Sequence, residues 1–201
     1  QQTEAFVNNF IEILTECRLF LGVDRNNLCK MIGCLGAKTK KFTKDQFILS
    51  EGSEAKDVGI VLSGEAQIIR IDLFGNRTIL ARVVPSQLFG ESFACADMKS
   101  IPINVVATSD CEVMLIDAKR ITQTCNGACA FHSKMIFNLL KVVAEKNIIF
   151  HEKIEITSQR TTREKLMTYL QIQAKKEGNS TFDIPFARQD LADYLEVERS
   201  G

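Results

Sequence analysis

Residues 131–156 read FHSKMIFNLLKVVAEKNIIFHEKIEI, and the reading of this stretch decides the fold. No glycine or proline occurs between Ala128 and Glu177, so a helix propagates through it without a breaker. Two apolar stripes run along that helix. Ile136, Leu140, Val143, Asn147, Phe150 and Ile154 step by four and three residues, the spacing of a seam between two paired helices. Met135, Leu139, Val142, Lys146 and Ile149 form the second stripe. One stripe suffices to dock a helix on its own domain, and two adjacent ones predict one face for the domain and one for a second copy of the chain. Asn147 interrupts the seam, where a lone polar residue fixes register and partner number at some cost in stability. The competing reading is a wide core helix within one chain, which the length of the stretch disfavours.

Composition bounds what surrounds this spine. The chain has 201 residues, 45% of them hydrophobic, enough for one large domain or two modest ones with real cores. Lys plus Arg and Asp plus Glu are both 25, so the net charge is zero and neither demands nor excludes nucleic acid. Seven cysteines at irregular spacings favour reduced thiols and a cytoplasmic address over a disulfide framework. No apolar run reaches membrane-spanning length, and Glu4 and Glu12 stand where a secretory leader needs a basic then apolar stretch, so no membrane partner is expected. The chain opens at Gln1, so its first residue need not be the natural start.

N-terminal to the spine, Phe6, Phe10, Ile13, Leu14 and Cys17 mark a short amphipathic helix. Gly22 breaks it, Asp24 can cap a second helix, and Leu28, Met31 and Ile32 give that helix its apolar face before Gly33 and Gly36. From Lys38 short runs alternate with turn signals: 42–49, 58–62, 66–71, 78–84, 105–107 and 111–116. At least six strands in about 80 residues predict a small barrel or jelly roll. Asp117 then caps a short turn that leads into the spine.

C-terminal to the spine, Thr161 with Glu164 three residues later fits a capping box. The helix it opens has Leu166, Leu170, Ile172 and Ala174 on its face and stops at Gly178. A brief strand is expected over 182–184, a turn at Pro185, and a helix over 187–195. The residues after Glu196 read as the opening of a further helix. Helix, strand, helix, tight turn and helix start is the order of a winged helix-turn-helix.

With this order in view, the chain resembles the CRP/FNR superfamily of bacterial transcription regulators along essentially its whole length. The matching residues are the Glu51-Gly52 and Ser63-Gly64 turns, Leu88-Phe89-Gly90-Glu91, Cys111-Glu112-Val113 leading to Ile116-Asp117, 162–166, and 188–195 followed by Arg199-Ser200. The resemblance implies an α+β fold with N-terminal short helices and a β jelly-roll barrel, a long dimerisation helix and a partial winged helix-turn-helix. The expected divisions are an effector-sensing domain over 1–127, the dimerisation helix over 128–157, and part of a DNA-binding domain over 158–201. It further implies a homodimer on an inverted-repeat operator, a small-molecule effector, RNA polymerase as a partner, and no catalysis.

The departures from the family narrow the effector. Cyclic-nucleotide members follow the Gly-Glu pair with an arginine-bearing segment that neutralises the cyclic phosphate, whereas here the region is Ser100-Ile101-Pro102-Ile103-Asn104. No cation stands there, and a buried phosphate without one is strongly disfavoured. The spine positions expected to offer hydroxyls to a base are Ile148 and Ile149. Glu91 matches the family's ribose-binding glutamate, the alternative being a structural carboxylate in a turn. A pocket lined by Phe89, Ile101, Ile103 and Ile149 would suit an apolar or aromatic small molecule, with Gly90, Glu91, Ser92 and Asn104 around it.

The cysteines and histidines bear on other chemistries. Cys17, Cys29 and Cys34 with Cys95 or Cys111 do not follow the spacing of cluster-binding members of the family, and buried thiols are the simpler account. Cys125 and Cys129, at the start of the spine, offer a redox switch. A metal-dependent jelly-roll enzyme needs histidines on barrel strands, and the only two, His132 and His151, lie on the spine. Cys129 and His132 lie one helical turn apart with no third orienting group. A protein-binding regulatory module without DNA is the remaining alternative.

For DNA, the resemblance places Arg199 and Ser200 at the first reading positions of the recognition helix, where an arginine can engage both acceptors of a guanine. Arg188 and Gln189 are expected at phosphate. Two paired chains would set their recognition helices about 34 Å apart, in successive major grooves. Basic and acidic side chains balance after residue 157, which predicts little non-specific affinity, and residues 1–201 alone are expected not to bind DNA specifically. Glu196 occupies a turn where the family prefers glycine.

Overall fold

The structure is a computed structural model that describes residues 2–123 and 130–198. Its elements follow the sequence closely: α1 (Gln2–Glu16), a 3-10 turn (Arg18–Phe20), α2 (Arg25–Leu35), β1 (Lys38–Phe42), β2 (Phe47–Leu49), β3 (Asp57–Ser63), β4 (Ala66–Ile71), β5 (Arg77–Val83), β6 (Leu88–Phe89), α3 (Glu91–Cys95), β7 (Asn104–Ala107), β8 (Cys111–Asp117), α4 (Ala118–Thr122), α5 (Ala130–Thr157), α6 (Thr162–Glu177) and α7 (Arg188–Leu195). The strands form two antiparallel sheets, ordered β1-β8-β3-β6 and β2-β7-β4-β5, which face each other as a jelly roll.

The first sheet is covered on both faces, which explains the nearly continuous apolar run of β3. Val58, Ile60 and Leu62 point with Leu88, Met114 and Ile116 into a core shared with α2, α4 and α5. Val61, Val113 and Leu115 point the other way, into the barrel, with Ile48, Phe89 and Val105. Gly59 lies on β3 where the Phe89 ring crosses it, and a Cβ there would overlap that ring.

Two strand expectations are corrected. The single run over 42–49 is split into β1 and β2 by a turn in which Asp45 adopts φ 68°, the Thr43 amide donates to Gln46 Oε1 at 2.9 Å, and the Lys44 amide donates to Asp110 Oδ1 at 3.1 Å. β1 was hidden by its lysines, which suit an exposed edge strand. The 182–184 segment is not a strand, because among the described residues no neighbouring strand pairs with it.

Helix ends obey their local signals. Asp24 caps α2 by accepting from the Asn27 amide, and Asp117 caps α4 by accepting from the Lys119 amide. Thr161 and Glu164 form the reciprocal capping box of α6. α5 is the spine, with its two stripes treated differently. Met135, Leu139 and Val142 are buried in the core under the first sheet, whereas Leu140 and Ile154 are 63% and 61% exposed. Asn138, also buried, donates to the Leu19 and Leu21 carbonyls at 3.1 and 3.0 Å, so the spine also anchors the 3-10 turn. No described helix is long and apolar enough to cross a membrane.

α6 and α7 build a separate small core from Ile156, Tyr169 and Leu195, packed round by Leu166, Leu170, Phe186, Leu191 and Tyr194. The turn after α7 keeps the geometry expected of glycine, with Glu196 itself in the left-handed region at φ 55°. A non-glycine residue there is strained by roughly 1 kcal/mol, offset here by the Val197 amide closing onto the Ala192 carbonyl at 3.1 Å.

Candidate functional site

Glu91 opens α3 directly after Gly90, whose left-handed conformation (φ 77°) turns the chain off β6. That turn drives the Glu91 side chain inward until the residue is 2% exposed. A carboxylate so buried needs a partner, and Lys146 reaches across from the spine to supply it. Its Nζ lies 2.9 Å from Oε1 and 3.0 Å from Oε2 of Glu91, and donates to the Leu88 carbonyl at 2.6 Å. Ser92 Oγ adds a 3.2 Å hydrogen bond to the same carboxylate. The pair ties the spine to the turn between β6 and α3.

Next to this pair lies a cavity of about 640 Å³. Ile68, Leu80 and Val83 of the second sheet form one wall, Gly90, Ser92 and Phe93 another, and Val142, Ile149 and Phe150 of the spine a third. The C-terminal unit closes the fourth side with Tyr169, Gln173, Pro185, Phe186 and Tyr194. Three cations stand in the lining, and each already has a carboxylate: Arg82 is paired with Glu65 in a two-pronged contact, Arg18 lies 2.9 Å from Glu145, and Lys146 holds Glu91. His132 and His151 are both absent from the lining.

Of the residues expected around an effector, Gly90, Glu91, Ser92 and Ile149 line this cavity. Phe89, Ile101 and Ile103 do not, being packed in the barrel core, and Asn104 uses its Oδ1 to accept from the Glu51 amide at 2.9 Å. Arg188 is exposed at the start of α7, and Gln189 donates to Asp193 at 2.8 Å. Arg199, Ser200, Cys125 and Cys129 lie outside the described residues. The five described cysteines are free, and Cys17 is an inert core thiol that burial pushes up to about 12.

The C-terminal unit is fastened to the rest of the chain by contacts that sequence reading did not foresee. Arg77 of β5 binds Asp193 through Nε at 2.9 Å and Asp190 through a terminal nitrogen at 2.5 Å. Gln67 Nε2 stands 3.5 Å from Asp190. From the spine, Lys153 donates to the Tyr194 carbonyl and sits 3.8 Å above the Tyr194 ring, while Lys176 reaches back to Glu152 at 2.5 Å. Lys146 and Lys153 both left a signal: each is a lysine on an inward face of an amphipathic helix, which demands an acceptor elsewhere. The aromatic wall carried no such signal.

Residues 39–127 match the family model described as the cyclic nucleotide-binding domain. The transcriptional activator protein FnrL of Cereibacter sphaeroides is 22% identical over 165 residues, covering 78% of this chain and 63% of that protein, so the match stops short of two thirds of the relative's length. Among solved structures, FixK2 from Bradyrhizobium japonicum superposes with a TM-score of 0.62 at 20% identity, covering 82% of this chain and 79% of that one. The global regulator CLP of Xanthomonas campestris superposes with a TM-score of 0.67 at 16% identity, covering 85% and 86%. At these identities the structural likeness speaks for the fold. With the cyclic nucleotide-binding domain match over the barrel, followed by the spine and the C-terminal helices, the chain has the fold seen in CRP-type structures.

Proposed function

We propose that this chain is the sensing and pairing part of an effector-responsive, DNA-binding regulator that works as a cytoplasmic homodimer. The observation that carries this reading is the division of α5 into two faces. One face is sealed against the barrel, and the other leaves Leu140, Ile148 and Ile154 more than half exposed along one helix that runs on into the C-terminal unit. A second copy placed seam to seam covers Ile136, Leu140, Val143, Phe150 and Ile154, with Asn147 setting the register. The C-terminal unit then acts as the reader of an inverted-repeat operator, Arg188 at phosphate and Arg199 and Ser200 at base edges. RNA polymerase is the downstream partner.

Gly90, Glu91, Ser92 and Ile149 are the effector-facing residues of this reading. A cyclic nucleotide is disfavoured, because its phosphate would have to compete with a carboxylate for each cation in the lining. CLP is described as responsive to c-di-GMP, and the same objection applies to that ligand here. The test is selection of random duplex DNA by the gene product with its complete reader. Recovery of an inverted repeat with half-sites about 10 base pairs apart is expected, and failure to enrich any sequence, with or without cell extract metabolites, overturns the reading.

A further inference from the structure

We propose that the cavity takes an uncharged, largely apolar small molecule that touches barrel, spine and C-terminal unit together and holds that unit in its docked position. The proposal rests on the regulator reading and deepens it, by assigning the ligand class and a direct route from ligand to reader. The volume of about 640 Å³ falls among ordinary small-molecule pockets. Apolar side chains meet there from three directions: Ile68 and Leu80 from the second sheet, Ile149 and Phe150 from the spine, and Phe186 and Tyr194 from the C-terminal unit.

Charge decides the class. Arg82 and Lys146 are partly buried and each matched to a carboxylate, so an anionic ligand must compete with Glu65 or Glu91 for them, and Arg18, paired with Glu145, is 63% exposed and offers only a solvent-screened contact. For a cationic ligand, Glu91 and Glu145 are likewise committed, and Glu16, the lining carboxylate without an ion pair among the described residues, is solvent-exposed and offers only a screened contact. An uncharged molecule disturbs none of them.

The fourth wall gives the ligand its effect. Because Tyr169, Gln173, Phe186 and Tyr194 come from the C-terminal unit, the cavity has its fourth wall only while that unit is docked. A molecule that binds this arrangement and not the undocked one shifts the population toward docking by mass action. Arg77, which fastens α7 without lining the cavity, should therefore be coupled to ligand affinity.

The test uses the neutral fluorophore N-phenyl-1-naphthylamine and the anionic fluorophore 1-anilinonaphthalene-8-sulfonate on residues 1–201. The expected result is saturable binding of the neutral probe, one per chain, about tenfold tighter than the anionic one. Gln173→Trp, which fills the cavity from the C-terminal side, should weaken the neutral probe about tenfold, and Arg77→Ala at least about threefold. Circular dichroism confirms that both variants fold. No saturable binding, tighter binding of the anionic probe, or a neutral probe indifferent to both variants overturns the proposal, the last because the ligand would then sit in the barrel alone. An operator recovered by DNA selection while the neutral probe fails to bind removes this proposal and leaves the regulator reading intact; binding without any operator does the reverse.

Discussion

Arg77 and Asp190, 113 residues apart in sequence, meet at 2.5 Å and join the barrel to α7. Asp193, one turn further along α7, accepts from Nε of the same guanidinium at 2.9 Å. One planar cation thus bridges two carboxylates spaced three residues apart, which lysine cannot reproduce. The side chains are 14–35% exposed, so solvent screens the contact and its net worth is about 1–2 kcal/mol. Arg77→Ala should speed amide hydrogen exchange over 188–195 by about tenfold and leave β3 and β8 unchanged, with Arg77→Lys intermediate. Unchanged exchange in α7 would make the contact incidental.

Glu91 and Lys146 are a different kind of pair, because Glu91 is almost wholly enclosed. Lys146→Met strands the carboxylate and should destabilise the chain by about 3–5 kcal/mol, whereas the double variant Lys146→Met with Glu91→Gln should recover at least half of that. A double-mutant cycle by urea denaturation measures this directly. Simple additivity of the two substitutions would mean that the pair is not coupled.

Much of this architecture was legible because it follows local rules. The two stripes of α5, the caps at Asp24, Asp117 and Thr161, and the alternation of Val58, Ile60 and Leu62 each state their structure within a few residues. What escaped depends on partners distant in sequence. β1 is four exposed residues and a half-buried phenylalanine, and forms only because β8 offers it a ladder. Gly90, Glu91 and Ser92 announced a site, but the barrel interior beside them is filled by Phe89, Ile101 and Ile103, which moves the open space toward the spine. Tyr169, Phe186 and Tyr194 line that space through the docking of a unit whose position no local pattern encodes.

Gly59 offers a test of the barrel core. Alanine at this strand position would collide with the Phe89 ring, which is fully buried and has no free volume into which to retreat. Gly59→Ala should therefore destabilise by about 1–3 kcal/mol despite alanine's better backbone entropy, and Gly59→Ala with Phe89→Leu should restore part of the loss. Thermal melts of the three chains decide it; an undiminished melting temperature for Gly59→Ala would contradict the close approach.

The open seam predicts an oligomeric state. Residues 1–201 should sediment as a dimer, and Leu140→Glu or Ile154→Glu, both at positions more than 60% exposed in the single chain, should sediment as folded monomers. Because neither residue belongs to the chain's own core, circular dichroism should be unchanged in both. A wild-type monomer at tens of micromolar would return the stripe that carries Leu140 and Ile154 to a solvent face.

Lys153 makes the joint between spine and C-terminal unit sensitive to pH. It is 6% exposed, and burial pushes its ammonium down from 10.5 to about 8, with Glu196 opposing the shift and Lys165 adding to it. Below about pH 8 both folded and unfolded chains are protonated at this site, and the folded chain carries the full penalty of a buried ammonium. Between about 8 and 10.5 the unfolded chain holds a proton that the folded one has released, so this site makes stability rise with pH. Cys17 and Tyr194 act oppositely, since burial pushes both up to about 12 and their contribution is lost as pH climbs past their ordinary values of 9.0 and 10.0. Subtraction separates the two effects. Lys153→Met removes the first and leaves the second, so the stability of Lys153→Met minus that of wild type should be largest at pH 7 and should fall by up to about 3 kcal/mol by pH 10.5. Urea denaturation of both chains across that range measures it, and a difference flat in pH would mean that the ammonium of Lys153 is solvated in the folded chain.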